Sequence, residues 1–123
     1  MWNVWPELIC MQHILGEHLE LHMFLGAIKK NYKLNGYLKN GLLEINNIKI
    51  RHDILKEYIK NEKTPISEEE EKLILETHLK YKCIENKIYI SSNIKELYRR
   101  CENCRKRIDY ILFGVGVSVK LYK

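Results

Sequence analysis

The stretch CMQHILGEHLELHMFLGAIKK, residues 10–30, decides the fold: small and apolar residues at helical spacing are interrupted by three histidines, two glutamates and a glutamine, and two lysines close it. Leu8, Met11, Ile14, Leu15, Leu21 and Leu25 cover most of a helix circumference. At 100° per residue, His13, Glu17 and Glu20 fall within about 60° of one another on the strip that is left. A helix with that much apolar surface must be packed by the rest of the chain, and its polar strip then faces a cleft. Two carboxylates a turn apart repel each other, and partial burial disfavours their charged forms, which suits one of them to accept a proton. The plainer reading is a solvated face, which Phe24 on the same side fits less well. The periodicity predicts a helix from near Pro6 to Lys30, with Lys29 and Lys30 against the negative end of its dipole.

Working outward, residues 31–47 contain two Asn-Gly steps and read as loop with room for one short element. In IKIRHDILKEYIKNE, residues 48–62, Ile50, Ile54, Leu55, Tyr58 and Ile59 recur at helical spacing and predict a second helix. After Pro65, Ser67 and Glu70 form a capping-box pattern that opens a third helix through Lys80. IENKIYISS, residues 84–92, favours extended chain. A continuous stripe of Ile94, Leu97, Tyr98, Cys101, Cys104, Ile108, Ile111 and Leu112 predicts one last helix, which Gly114 ends. Alternation of Val115, Val117, Val119 and Leu121 then suits a strand or an extended tail. The expectation is a mainly α protein: residues 1–123 form a single domain of three to four helices, and the long first helix carries the site.

The 123 residues are 46% hydrophobic and 30% charged, the composition of a folded chain. A net charge of +5, from 21 basic and 16 acidic side chains, suits a polyanionic partner such as double-stranded DNA. Basic residues gather in two places: Lys29, Lys30, Lys33 and Lys39 beside the polar strip, and Arg99, Arg100, Arg105, Lys106 and Arg107 on the last helix, from which they would reach phosphates. A basic leading segment is missing, and Glu7, Gln12, His13, Glu17 and Glu20 break the apolar runs, so neither a signal peptide nor a membrane span is expected and the location is expected to be cytoplasmic.

Cys10, Cys83, Cys101 and Cys104 read as reduced thiols or metal ligands before disulfides. RRCENCRKR, residues 99–107, has the Cys-x2-Cys spacing of half a zinc site, which Cys83 and a histidine would complete. Because Cys101 and Cys104 lie on an apolar stripe, packing without metal is the expectation. His18 and His22, four apart on the apolar side, read as core histidines. Their order with Glu20 is not H-E-x-x-H, which excludes a metalloprotease of that type.

Trp2, Pro6, Leu8 and Cys10, then Gln12-His13, Leu15-Gly16-Glu17-His18, Glu20-Leu21-His22 and the following FLGAIKK, resemble the opening of the pyrimidine-dimer DNA glycosylase family. The likeness is dense over residues 2–30 and faint around Arg51 to Asn61. It implies a helical, cofactor-free and metal-free enzyme that removes a damaged base and cuts the strand through an imine to its N-terminal amine. An α-amine suits that role, because it titrates about two to three units below a lysine. Trp2 is too bulky for methionine removal, so Met1 would supply the amine. By resemblance Glu20 is the catalytic carboxylate, and Gln12 and His13 line the site and touch DNA. Glu17, on the same strip, joins the substrate-contacting set. Leu19 and Met23 depart from the pattern, because arginines stand there in the family. The alternatives are a non-catalytic nucleic-acid-binding protein on the same scaffold, and a zinc-stabilised interaction domain built on Cys83, Cys101, Cys104 and a histidine.

Overall fold

A computed structural model describes residues 1–60, 64–84 and 87–122. The order is a 3-10 turn at Pro6–Leu8, then α1 (Met11–Lys29), α2 (Asn35–Lys39), a second 3-10 turn at Ile45–Asn47, α3 (Ile48–Lys56), α4 (Glu68–Lys80), α5 (Ile90–Arg100) and α6 (Glu102–Phe113). No strand occurs among the described residues. The protein is mainly α, as its periodicities predict, but the described residues form six α-helices where three to four were expected. The arrangement is one core with α1 at its centre, packed by α3 and α4, while α6 packs on the Pro6–Leu8 turn and on α5.

Helix α1 starts at Met11, five residues after Pro6. Proline does open a helical turn there, but Ile9 and Cys10 are extended. Three backbone groups of residues 7–10 are taken by distant partners, which removes the reason to continue the turn. Arg107 Nε donates to the Glu7 carbonyl at 2.8 Å, Tyr122 Oη donates to the Ile9 carbonyl at 3.1 Å, and the Cys10 N–H points at Cys104 Sγ at 3.3 Å. Ile14, Leu21, Phe24, Leu25 and Ile28 face the core. The helix is not enclosed on all sides, however. Gln12, Leu15, Gly16, Leu19 and Met23 form an exposed strip, with Leu19 71% exposed.

Helix α3 buries Ile48, Arg51, His52 and Leu55, an i, i+3, i+4, i+7 face, whereas the expected Ile50 and Ile54 point outward. The polar pair turns inward because α1 offers it polar partners, described below. Asn61 and Glu62, placed by the sequence in this helix, lie outside the described residues. Helix α4 begins as its sequence predicts. Ser67 Oγ accepts from the Glu70 N–H at 3.1 Å, and the Glu70 carboxylate accepts from the Ser67 N–H at 3.0 Å.

Residues 87–89 of the segment expected to be extended are neither helix nor strand, and Glu85 and Asn86 lie outside the described residues. The Ile88 N–H donates to the Glu44 carboxylate at 2.7 Å instead of to a neighbouring strand. The predicted single last helix is two helices, broken at Cys101, which is extended at φ −118° and ψ 113°. Its sulfur accepts from the Cys104 N–H and so caps α6. Gly114 ends α6 in the left-handed conformation that glycine adopts without penalty, at φ 65°. The tail runs on without pairing and is held by Tyr122, whose ring lies under the Arg107 guanidinium at 4.1 Å. No helix among the described residues is long and apolar enough to cross a membrane.

Candidate active site at the N-terminal amine

The first three residues fold back over α1. Asn3 takes a left-handed conformation at φ 54°, which asparagine tolerates better than most side chains, and this bend reverses the chain ahead of Val4. Val4 is fully buried and fixes the arm to the core. The Asn3 N–H donates to Glu17 Oε2 at 3.3 Å, and Asn93 of α5 donates to the Trp2 carbonyl at 2.7 Å. So held, the Met1 ammonium contacts the Glu20 carboxylate as a charge-assisted hydrogen bond. The Met1 side chain is buried and that of Glu20 is 38% exposed, so the pair sits at the rim of the core with one side toward water.

Glu17 and Glu20 share a helix side but not an environment. The Glu17 side chain is fully buried and takes a bidentate grip from Arg51, with Nε at 2.7 Å from Oε2 and Nη2 at 2.9 Å from Oε1. A planar guanidinium fits a carboxylate in this two-pronged way, and the pairing compensates burial of both charges. Each carboxylate therefore has its own cation, and Glu17 faces the core and not a cleft. It joins α1 to α3 and, through Asn3, supports the arm that carries the amine.

Below this pair His18, His22 and His52 gather, with ring centroids 4.7–4.9 Å apart. His52 Nδ1 is 3.1 Å from Asp53 Oδ1, and its Nε2 is 3.2 Å from His22 Nε2. These two contacts join Asp53, His52 and His22 in one chain. One ligand atom from each ring lies within 4.8 Å of the others.

His13 is half-buried beside the arm, edge-on to the Trp2 ring with centroids 5.8 Å apart. Burial, and then the Arg100 guanidinium, pushes its imidazole below the ordinary value, which favours the neutral form. Arg100 stacks over Trp2 at 5.4 Å and pairs with Glu96. His13 also belongs to a second cluster. Its Nδ1 is 3.2 Å from Cys10 Sγ and 3.4 Å from Cys104 Sγ, and Cys101 Sγ is 4.0 Å from Cys10 Sγ. Cys83, expected to join Cys101 and Cys104, is exposed and belongs to no such group among the described residues.

Gln12 is exposed on the open strip of α1. Lys30 and Lys33 are exposed, and with Tyr32, Tyr37 and Met23 they line a groove of about 530 Å³. The groove follows Glu20 along α1: Ala27, on its wall, lies within about 20° of Glu20 around the axis. Lys29 is on the opposite side of α1, paired with Glu70 at 2.6 Å. Arg99, Lys106 and the partly covered Arg105 lie on the outer faces of α5 and α6, where Arg99 pairs with Glu96 and Lys106 with Glu102. Arg107 does not project outward as its position on the predicted helix suggested. It is buried at 7% exposure between the Glu7 carbonyl and the Tyr122 ring, because the break at Cys101 turns α6 relative to one continuous helix.

Arg51, Asn3, Asn93 and Trp2 were not singled out from the sequence as parts of the site. The polar pair Arg51-His52 set between Ile48 and Leu55 at core spacing was the available signal for the first of these. Compared with known proteins, the chain matches no family model, no curated protein and no solved structure.

Proposed function

We propose that the chain is a DNA-repair glycosylase with lyase activity, which acts on ultraviolet-damaged or abasic double-stranded DNA through an imine to the Met1 amine. The observation that carries this reading is the contact between the Met1 amine and Glu20, at the boundary between the core and the exposed strip of α1. Glu20 takes the proton that the ammonium must lose before it can attack. The freed nitrogen bonds to C1′ of the damaged nucleotide, and the base leaves with the electrons of the glycosidic bond. Loss of a proton from nitrogen and opening of the sugar give the imine. Removal of a C2′ proton then expels the 3′ phosphate, and water releases the amine. Glu20 hands its first proton to the leaving base and is again a carboxylate, which opposes the positive charge of the sugar; the proton lost from nitrogen goes to the ring oxygen as the sugar opens, and Glu20 then accepts the C2′ proton.

The surroundings support a nucleic-acid substrate. Tyr32 and Tyr37 in the groove beyond Glu20 suit the stacking of unpaired bases, and Lys30 and Lys33 suit the backbone beside them. Arg100 stacks on Trp2 of the arm. A non-catalytic nucleic-acid-binding protein is the second reading, favoured by the exposed apolar Leu19 and Met23 beside Glu20.

Borohydride trapping tests the proposal. With ultraviolet-irradiated or abasic duplex DNA, the native protein should form a covalent adduct whose attachment maps to Met1 by peptide mass. Acetylation of the α-amine should abolish the adduct. Glu20→Gln should bind DNA as before and cut it about 10²- to 10⁴-fold more slowly. DNA binding with neither an adduct nor cleavage would establish the non-catalytic reading instead.

A further inference from the structure

The cluster at the foot of the arm is made by two separate segments. Cys10 precedes α1, and His13 lies one turn into it. Cys101 is the residue between α5 and α6, and Cys104 lies in the first turn of α6. The four donor atoms, three sulfurs and one imidazole nitrogen, all lie within 4.8 Å of one another. We infer that Cys10, His13, Cys101 and Cys104 form a tetrahedral zinc site that fastens the segment before α1 to the α5–α6 junction.

The spacing fits the ion. With Zn–S near 2.3 Å and Zn–N near 2.0–2.1 Å, a tetrahedron has edges of about 3.8 Å between sulfurs and about 3.6 Å between sulfur and nitrogen. The separations of 3.2 and 3.4 Å from His13 Nδ1 to Cys10 and Cys104, and of 4.0 Å between Cys10 and Cys101, lie close to those edges. A disulfide does not account for the approach, because 4.0 Å is about twice a sulfur–sulfur bond.

Packing alone accounts for less than a metal does. Two backbone N–H groups point at sulfur, from Cys10 to Cys104 Sγ at 3.3 Å and from Cys104 to Cys101 Sγ at 3.4 Å. Such donors also suit a thiolate, the form that binds zinc. The apolar stripe from Ile94 to Leu112 would continue as one helix, yet the chain breaks at Cys101 and brings its sulfur to Cys10. Arg100, stacked on the Trp2 ring that meets His13, places a positive charge beside a centre of three thiolates and one divalent cation. Thiolate-rich tetrahedral sets favour zinc over calcium or magnesium. Four protein ligands leave no open position, which makes the site structural. Binding displaces three thiol protons to solvent as three zinc–sulfur bonds form, with no redox change. The inference does not depend on the proposed function.

The test uses full-length protein purified under reducing conditions. Elemental analysis should find stoichiometric zinc in the native chain and equally in Cys83→Ser. Replacement by cobalt should give thiolate-to-metal charge-transfer absorption and the strong visible bands of tetrahedral cobalt. Cys101→Ala/Cys104→Ala should lose the metal. Because that variant can fail to fold, His13→Cys serves as a second probe: it keeps four ligands and should retain metal with stronger charge-transfer absorption, from four thiolates in place of three. Trace zinc only in the native chain, no charge-transfer band with cobalt, or an unchanged cobalt spectrum in His13→Cys would each overturn the assignment. So would zinc retained by the folded double-alanine variant, which would move the metal to His18, His22 and His52.

Discussion

Glu17 and Glu20 are three residues apart on one helix, yet burial separates their roles. At this scale the sequence shows a good deal, because 100° per residue places His13, Glu17 and Glu20 together without knowledge of anything else. It does not show which of them meets solvent. That depends on Arg51, 34 residues from Glu17, and on the bend at Asn3, neither of which belongs to the period of α1. The buried pair should be sensitive to the loss of one partner. Arg51→Met leaves the Glu17 carboxylate in the core without its cation and should cost about 3–5 kcal/mol, read as a lower urea midpoint at unchanged slope. Arg51→Met combined with Glu17→Leu should recover most of that loss, because no charge is then left buried. A loss in the double variant equal to the sum of the losses in Arg51→Met and Glu17→Leu alone would show that the two residues act independently. Glu20→Gln, at a partly exposed position, should change stability by less than about 1 kcal/mol.

Helix existence was legible wherever a single apolar face or a local cap decided it, as in α1, α3 and α4. Boundaries and faces failed where distant groups intervened. Pro6 opens a turn that Arg107 and Tyr122 prevent from becoming α1, and Cys101 interrupts a stripe that periodicity alone runs through. Helix α4 tests the local part. Ser67→Ala removes one half of the capping box and should cost about 1 kcal/mol in thermal or urea unfolding. The other half carries a pH dependence. The Lys29 ammonium first, and the Ser67 N–H with it, hold the Glu70 carboxyl at about 2, below the ordinary 4.5. Because the folded value is the lower one, this stabilisation is fully present above pH 4.5 and disappears as pH falls toward about 2. The stability difference between the native chain and Glu70→Gln should therefore shrink across that window. A difference constant with pH would mean that the Glu70 charge contributes nothing.

Across the whole molecule, the same sequence charge divides into groups with different tasks, which a net value of +5 conceals. Arg51 and Arg107 are internal, Lys29 is held on the side of α1 away from Glu20, and Lys30, Lys33, Arg99 and Arg100 remain at the surface, Lys30 and Lys33 on the groove and Arg100 on Trp2 of the arm. If DNA runs past the Met1 amine and contacts about five phosphates, log affinity should fall against log salt with a slope of about −4 to −5. The accessible residues and the buried ones should then separate in two measurements. Lys30→Ala or Lys33→Ala should each make that slope shallower by about 1 and leave the unfolding midpoint in place. Arg107→Met should lower the midpoint, because the Glu7 carbonyl loses its donor and the Tyr122 ring its cation, and it should leave the slope as it was. A slope near zero in the native chain would remove nucleic acid as the partner. A slope that changes with Arg107 but not with Lys30 or Lys33 would take the contact surface away from the groove, and the proposed path of DNA along α1 would fail.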